Sequence, residues 1–322
     1  MSTPDTNFSS ADRPAAIVPP VSGVAQRSML QTLIVLIRRE LWEHRSLWIA
    51  PLVIAVLMVL TAFPIHFGNV AHEADFAGAE NRLSAFTLMV WGQSLPQYLV
   101  MVIVVSFYLL DCLFSERKDR SILFWKSLPV SDAATVISKL LVAVVVVPLG
   151  VYLIAMVTDI LFQAIWAARV ASGSLPDIAV GWDTVAWLKV QGLMLYGLVV
   201  SMLWYAPLAA SLLLVSAWAR KNVFLWATLP LLIGAIVEKV AFGTRYIVEL
   251  LAYRTWGVFD ALGVTPVAPE HVPHGRVVSL AELFDNIHMS RAVLNIDLWL
   301  GVAVAAAFVF AAIRIRRYRD DT

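Results

Sequence analysis

Charge is scarce in this chain and cysteine nearly so. Only 15% of its 322 residues are Asp, Glu, Lys or Arg, while 60% are hydrophobic and the mean hydropathy is +0.78. A soluble domain is roughly a quarter charged. The chain therefore reads as an integral membrane protein. A single cysteine, Cys112, excludes an internal disulfide and a cysteine-built metal site. It is expected at a membrane edge, as a small apolar residue. The net charge of +1 hides a strong asymmetry, and no nucleic-acid partner is expected.

Signatures of catalysis are missing as well. No lysine follows a glycine, so the G-x-x-x-x-G-K-[ST] phosphate loop cannot occur. No H-E-x-x-H is present. His66 and His72-Glu73 fall in the expected first outer loop, and His271, His274 and His288 in the last. They read as solvated loop residues rather than metal ligands. Nothing resembles a Ser/His/Asp arrangement. No catalytic, cofactor-binding or metal-binding residue is assigned, and the chain is not expected to be an enzyme.

What the sequence has is long apolar runs. A bilayer core needs roughly 20 mostly apolar residues per helix. Six runs qualify, at about 46–66, 95–114, 138–165, 187–217, 222–240 and 296–313. The fourth and fifth are separated only by Trp218-Ala219-Arg220-Lys221. Basic residues orient the spans. Arg13, Arg27, Arg38, Arg39, Arg45, Arg117, Lys118, Arg120, Lys126, Lys139, Arg220, Lys221, Arg314, Arg316, Arg317 and Arg319 all fall on one side, which is read as cytoplasmic along with both termini. The other side holds half as many basic residues.

Residues 1–27, rich in Pro, Ser and Ala, lack the charged start and apolar core of a signal peptide. They are read as a disordered cytoplasmic tail, and the first span as an uncleaved insertion signal. Residues 28–45 place Leu30, Leu33, Ile34, Ile37, Leu41 and Trp42 at helical spacing, with charges gathered at the far end. That pattern predicts an amphipathic helix lying in the cytoplasmic interface. The six-span domain covers 46–319 and includes a long outer loop at 241–295.

Pro148, Pro207 and Pro230 fall inside spans, where proline kinks a helix. Such kinks serve either packing or a pathway. Three acids lie in or near spans. Counting along each span puts Asp111 at the inner edge and Asp159 and Glu238 at the outer edge, reaching water or pairing, Glu238 with Lys239 for example. No acid is expected at mid-membrane, which argues against a secondary transporter driven by protons or sodium.

The segment 115–133, between the second and third spans, is not a plain connection. Five charged residues, Glu116-Arg117-Lys118-Asp119-Arg120, lead into Ile122, Leu123, Phe124 and Trp125, then Leu128-Pro129-Val130-Ser131. An apolar and aromatic patch on an exposed segment marks a partner contact. The alternative is an aromatic belt in the headgroup layer. Ser131 is placed to cap the next helix.

This order of elements resembles a permease of the type-2 ABC exporter class (ABC-2). In that class a Glu, a few polar or basic residues and a Gly precede a short helix that ends in Leu-Pro-[Val/Ile]-[Ser/Thr]. Here Arg120 stands where Gly is common. The resemblance covers about residues 28–319. It implies a bacterial inner-membrane export subunit whose ATP and Mg are bound by a separate ABC ATPase subunit. That ATPase would dock on Glu116, Arg117, Lys118, Arg120, Ile122, Leu123, Phe124, Trp125, Leu128 and Pro129, a coupling helix with its basic residues facing acidic groups on the partner. A second copy or a related permease would complete the pore. The resemblance further implies pathway lining from the second and fifth spans (Tyr98, Ser106, Tyr108, Phe224, Trp226 and Thr228) and short re-entrant helices at about 241–265. The alternatives are a non-transporting accessory or sensor subunit of an ABC complex, or a polytopic membrane enzyme.

Overall fold

The computed structural model describes residues 29–63, 79–119, 121–122, 127, 130–172, 184–262 and 289–318, with backbone alone at 79–91, 170, 186 and 289. The tail at 1–27, Arg120, Leu123, Phe124, Trp125, Leu128, Pro129, all five histidines of the outer loops and the whole stretch 263–288 lie outside the described residues.

Among the described residues every regular element is a helix. In chain order they are α1 (Met29–Glu43), α2 (Ser46–Leu60), α3 (Ala79–Asp111), α4 (Phe114–Lys118), α5 (Asp132–Leu141), α6 (Val147–Ala171), α7 (Thr184–Trp218), α8 (Val223–Phe242), α9 (Tyr246–Trp256), α10 (Val258–Ala261), α11 (Met289–Leu294) and α12 (Ile296–Tyr318). Five stretches are long and apolar enough to cross a membrane, and a sixth is added if the pair α1 and α2, bent by 59°, counts as one. The architecture is that of an all-α, multi-pass membrane protein.

Of the three prolines expected to kink spans, only Pro148 coincides with a break in the helix, while α7 and α8 continue through Pro207 and Pro230. Between α5 and α6 the chain makes a π-helical turn at Val142–Val146, just before Pro148. Proline donates no backbone hydrogen bond and crowds the carbonyl four residues back, and a π turn absorbs both. Between α7 and α8 the chain reverses at Asn222, which takes φ 50°. Asn tolerates that left-handed conformation better than most residues. Ser131 caps α5 as the sequence suggests, its hydroxyl accepting from the Ala134 N–H at 3.1 Å.

The apolar stripe that spacing predicts on α1 is divided between core and surface, and the charged Glu40 is buried on the packed face. Leu36 is buried and Ile37 and Leu41 pack on the main core, while Leu30, Ile34 and Trp42 are exposed. That core gathers Leu47, Leu109, Leu113, Val136, Val142 and Leu213, from α2, α3, α5, α7 and the connections beside them. It lies at the end of the bundle where Arg39, Lys139 and Arg316 also meet, here called the basic end. A second core, around Trp204, Val258, Ala261 and Leu298, joins α7, α10 and α12.

Candidate functional site

The site begins where α3 ends. Ser216 of α7 accepts from the backbone N–H groups of Leu113 and Phe114, both at 3.1 Å, and so caps α4 from outside. Arg117 of α4 returns the contact, donating to the carbonyls of Ser216 and Ala219 at 2.6 and 2.8 Å. A cation on the final carbonyls of a helix meets the negative end of its dipole. The start of the 115–133 segment is thus fixed to the end of α7.

Beneath it lies a charge cluster drawn from five elements. Glu116 of α4 accepts from Arg316 of α12 at 2.6 Å, and its other oxygen is 3.1 Å from the Lys139 ammonium of α5. Lys139 donates to Glu40 of α1 at 2.8 Å. Glu40 also accepts from the Tyr108 hydroxyl of α3 at 3.0 Å. Arg316 turns its Nε to Asp132 of α5 at 3.1 Å. Glu40 and Lys139 are each only 1% exposed. The buried members Glu40, Glu116, Lys139 and Arg316 form a set of two acids and two bases, so no net charge is taken out of water.

A cavity of about 360 Å³ opens over this cluster, lined among others by Arg39, His44, Cys112, Glu116, Asp119 and Lys139. His44 stands edge-on to the Tyr108 ring, with centroids 4.8 Å apart. Burial holds its imidazole below the usual range, although Glu40, 3.8 Å away, pulls the other way. Glu40, Glu43 and His44 bring three potential metal-ligand atoms within 4.8 Å of one another. Glu40 is already committed to Lys139 and Tyr108, and Glu43 to Arg39 at 2.8 Å. The group is therefore part of the ion network.

The structure separates the residues that the sequence grouped as a docking surface. Glu116 was expected on that surface but is buried, because Arg316 and Lys139 converge on it from α12 and α5. Arg117 is turned inward to α7. Lys118 is exposed and Ile122 half-buried. The pathway candidates also divide. Tyr108 belongs to the charge cluster, since Glu40 takes its hydroxyl. Tyr98 and Ser106 are half-buried within the bundle, whereas Phe224, Trp226 and Thr228 are exposed on α8. Cys112, expected at a membrane edge, is buried beside the cluster.

Two acids depart from their expected surroundings. Glu238 does not pair with Lys239. Its carboxylate accepts from the Thr244 hydroxyl and from the N–H groups of Tyr246 and Ile247, and so caps α9. Asp159 neither reaches water nor meets a base among the described residues. It is 1% exposed and accepts from Gln191 at 2.9 Å. α6 runs on to Ala171, past the expected end of the span at 165, so about three further helical turns follow Asp159.

Sequence reasoning missed Glu40, Asp132 and Arg316 as a unit. Glu40 carried one signal, an acid on the same helical stripe as Leu33, Leu36 and Ile37. Arg316 carried none, lying in a run of basic residues. Comparison with known proteins finds no matching family model, no matching curated protein and no matching solved structure.

Proposed function

We propose that this chain is the membrane-spanning permease subunit of an ATP-driven exporter of the type-2 ABC class. A separate ATPase subunit, which binds ATP and Mg, docks on the 115–133 segment at the cytoplasmic face of the bacterial inner membrane. The observation that carries this reading is the double grip of Arg316. Its guanidinium holds Glu116 near the start of the segment and Asp132 at its end. A loop that only connects two spans does not need both feet clamped to a third helix. A loop that must pass on a push does.

In this reading the ATPase copies close on ATP and move the docked segments. Arg117 carries the displacement to the end of α7, Arg316 to α12, and Lys139 to α5 and α1. The bundle then rocks as a body rather than bending at the segment. The exposed apolar surface of α8, on which Phe224 and Trp226 lie, supports a pore completed by a second copy or a related permease. α9 and α10 support a cap over the exit. Trp204, about 20 Å along α7 from its end at Trp218 by helical rise, donates to the Arg254 carbonyl of α9 at 2.9 Å. The cap thus reaches well into the bundle.

The test is to purify the chain from native membranes in mild detergent beside a variant carrying Phe124→Ala and Trp125→Ala. Export coupling predicts an ABC ATPase with the native chain, its loss from the variant, and substrate efflux that requires both subunits. Absence of an ATPase from both preparations overturns the reading. An ATPase without dependent efflux assigns the chain as an accessory subunit instead.

A further inference from the structure

Away from the basic end, the interface of α3, α6 and α7 holds a polar group that the export reading does not use. Asp159 of α6 accepts from Gln191 of α7 at 2.9 Å and, weakly, from the Ser94 hydroxyl of α3 at 3.5 Å. The Ser94 contact sets the facing turns of α3 and α6 in register. Gln93 and Gln97 lie within one turn of Ser94 on α3, and Gln163 lies one turn beyond Asp159 on α6.

Gln97 is fully buried, and neither atom of its amide has a hydrogen-bond partner. One amide atom each of Gln93 and Gln163 is likewise buried without one. Native interiors satisfy the large majority of such groups, and each exception is destabilising unless something fills the unmet contact. A buried carboxylate with no base beside it costs more.

The other groups around Asp159 do not neutralise it. Tyr98 and Tyr152 are the ionisable side chains beside it. The Tyr152 hydroxyl is spent on the Gln191 carbonyl at 3.0 Å. α2, which packs on α6, has no ionisable side chain, and Lys189 on α7 is exposed.

We propose that Asp159, with Ser94, Gln97, Gln93 and Gln163, forms a binding site for one monovalent cation, either a sodium ion or a proton. One carboxylate matches one positive charge. The amides present oxygens when their planes rotate, and the Ser94 hydroxyl adds another. The set contains no imidazole or thiolate, which disfavours transition metals. A divalent ion would leave a net positive charge in an apolar bundle. Either cation neutralises Asp159; sodium would also take the amide oxygens, whereas a proton would let the carboxyl donate to one of them, so the packing of α3, α6 and α7 depends on the bound cation.

The experiment follows thermal unfolding of the purified full-length chain by tryptophan fluorescence. One series replaces choline chloride by sodium chloride at constant ionic strength and high pH. The other varies pH without sodium. A Tm that rises by a few degrees with sodium identifies a sodium site. A Tm indifferent to sodium but falling as pH rises identifies a proton site, since stability then follows proton binding. In either case Asp159→Asn removes the dependence, and Gln97→Leu shifts its midpoint by threefold or more. A native chain indifferent to both series overturns the proposal. So does a dependence that persists undiminished in Asp159→Asn, or, if that variant does not fold, one whose midpoint Gln97→Leu leaves in place.

Discussion

Arg316 and Glu116, 200 residues apart in sequence, meet at 2.6 Å where both side chains are buried. With Asp132 on the same guanidinium, that contact closes the base of the 115–133 segment. Removing one partner of a buried ion pair strands the other, which typically costs 3–5 kcal/mol, whereas replacing both by apolar groups is often neutral. Arg316→Met should therefore lower stability by about 3 kcal/mol or more. The double variant Arg316→Met with Glu116→Gln should recover part of that loss. Thermal unfolding of the three proteins in the same detergent measures both terms.

Lys139 serves two acids at once, Glu40 and Glu116. Lys139→Met should cost more than Glu40→Gln, since it leaves the buried Glu40 carboxylate without its cation, whereas Lys139 keeps Glu116 when Glu40 is replaced and Glu116 keeps Arg316 when Lys139 is. Tyr108→Phe deletes a single hydrogen bond to Glu40 and should cost about 1 kcal/mol. Equal losses in all three variants would show that the cluster does not share its charge in this way.

His44 gives the fold a pH dependence of known sign. Its imidazole is held below the usual value of 6.5, chiefly by burial, with Glu40, Lys139, Glu43 and Asp111 as the charged groups around it. The unfolded chain therefore takes up a proton before the folded one does. Stability should fall as pH drops below about 6.5, down through the lowered folded value. In His44→Gln that part of the slope should vanish, as unfolding temperatures at pH 7.5 and 5.5 will show.

Two glycines at close approaches should respond differently to a methyl group. At Gly257 a Cβ would stand 2.5 Å from the Tyr253 carbonyl oxygen and 3.0 Å from the Trp204 ring. Backbone cannot yield there, so Gly257→Ala should destabilise the α9–α10 turn by about 1–3 kcal/mol. At Gly301 the nearest atom is a guanidinium nitrogen of Arg254, at 2.8 Å. A flexible tip can swing away, so Gly301→Ala should cost less. Hydrogen exchange over residues 246–261 distinguishes the two.

The parts of this fold set by local spacing were legible in the sequence. The Ser131 cap and the break between α7 and α8 each follow from residues within one or two turns of one another. The charge cluster was not legible, because burial of Glu116 depends on Arg316, which no local pattern brings near. Counting inward from an expected span end also missed the burial of Asp159, since helix length past the apolar run depends on tertiary contacts. Arg169, four residues beyond that end, donates to the Ala62 carbonyl at 2.7 Å and helps hold α6 extended.

The shared grip of Arg316 also bears on the order in which the chain is assembled. α12 is the last described helix to leave the ribosome, and it supplies the guanidinium that holds both Glu116 and Asp132. Until then Glu40 and Glu116 rely on Lys139, with Arg39 3.9 Å from Glu116, and Asp132 lacks its contact with α12. Arrival of α12 adds the contacts that join it to α4 and α5. A chain interrupted before residue 316 would therefore lack the side chain that ties both ends of the 115–133 segment to the bundle.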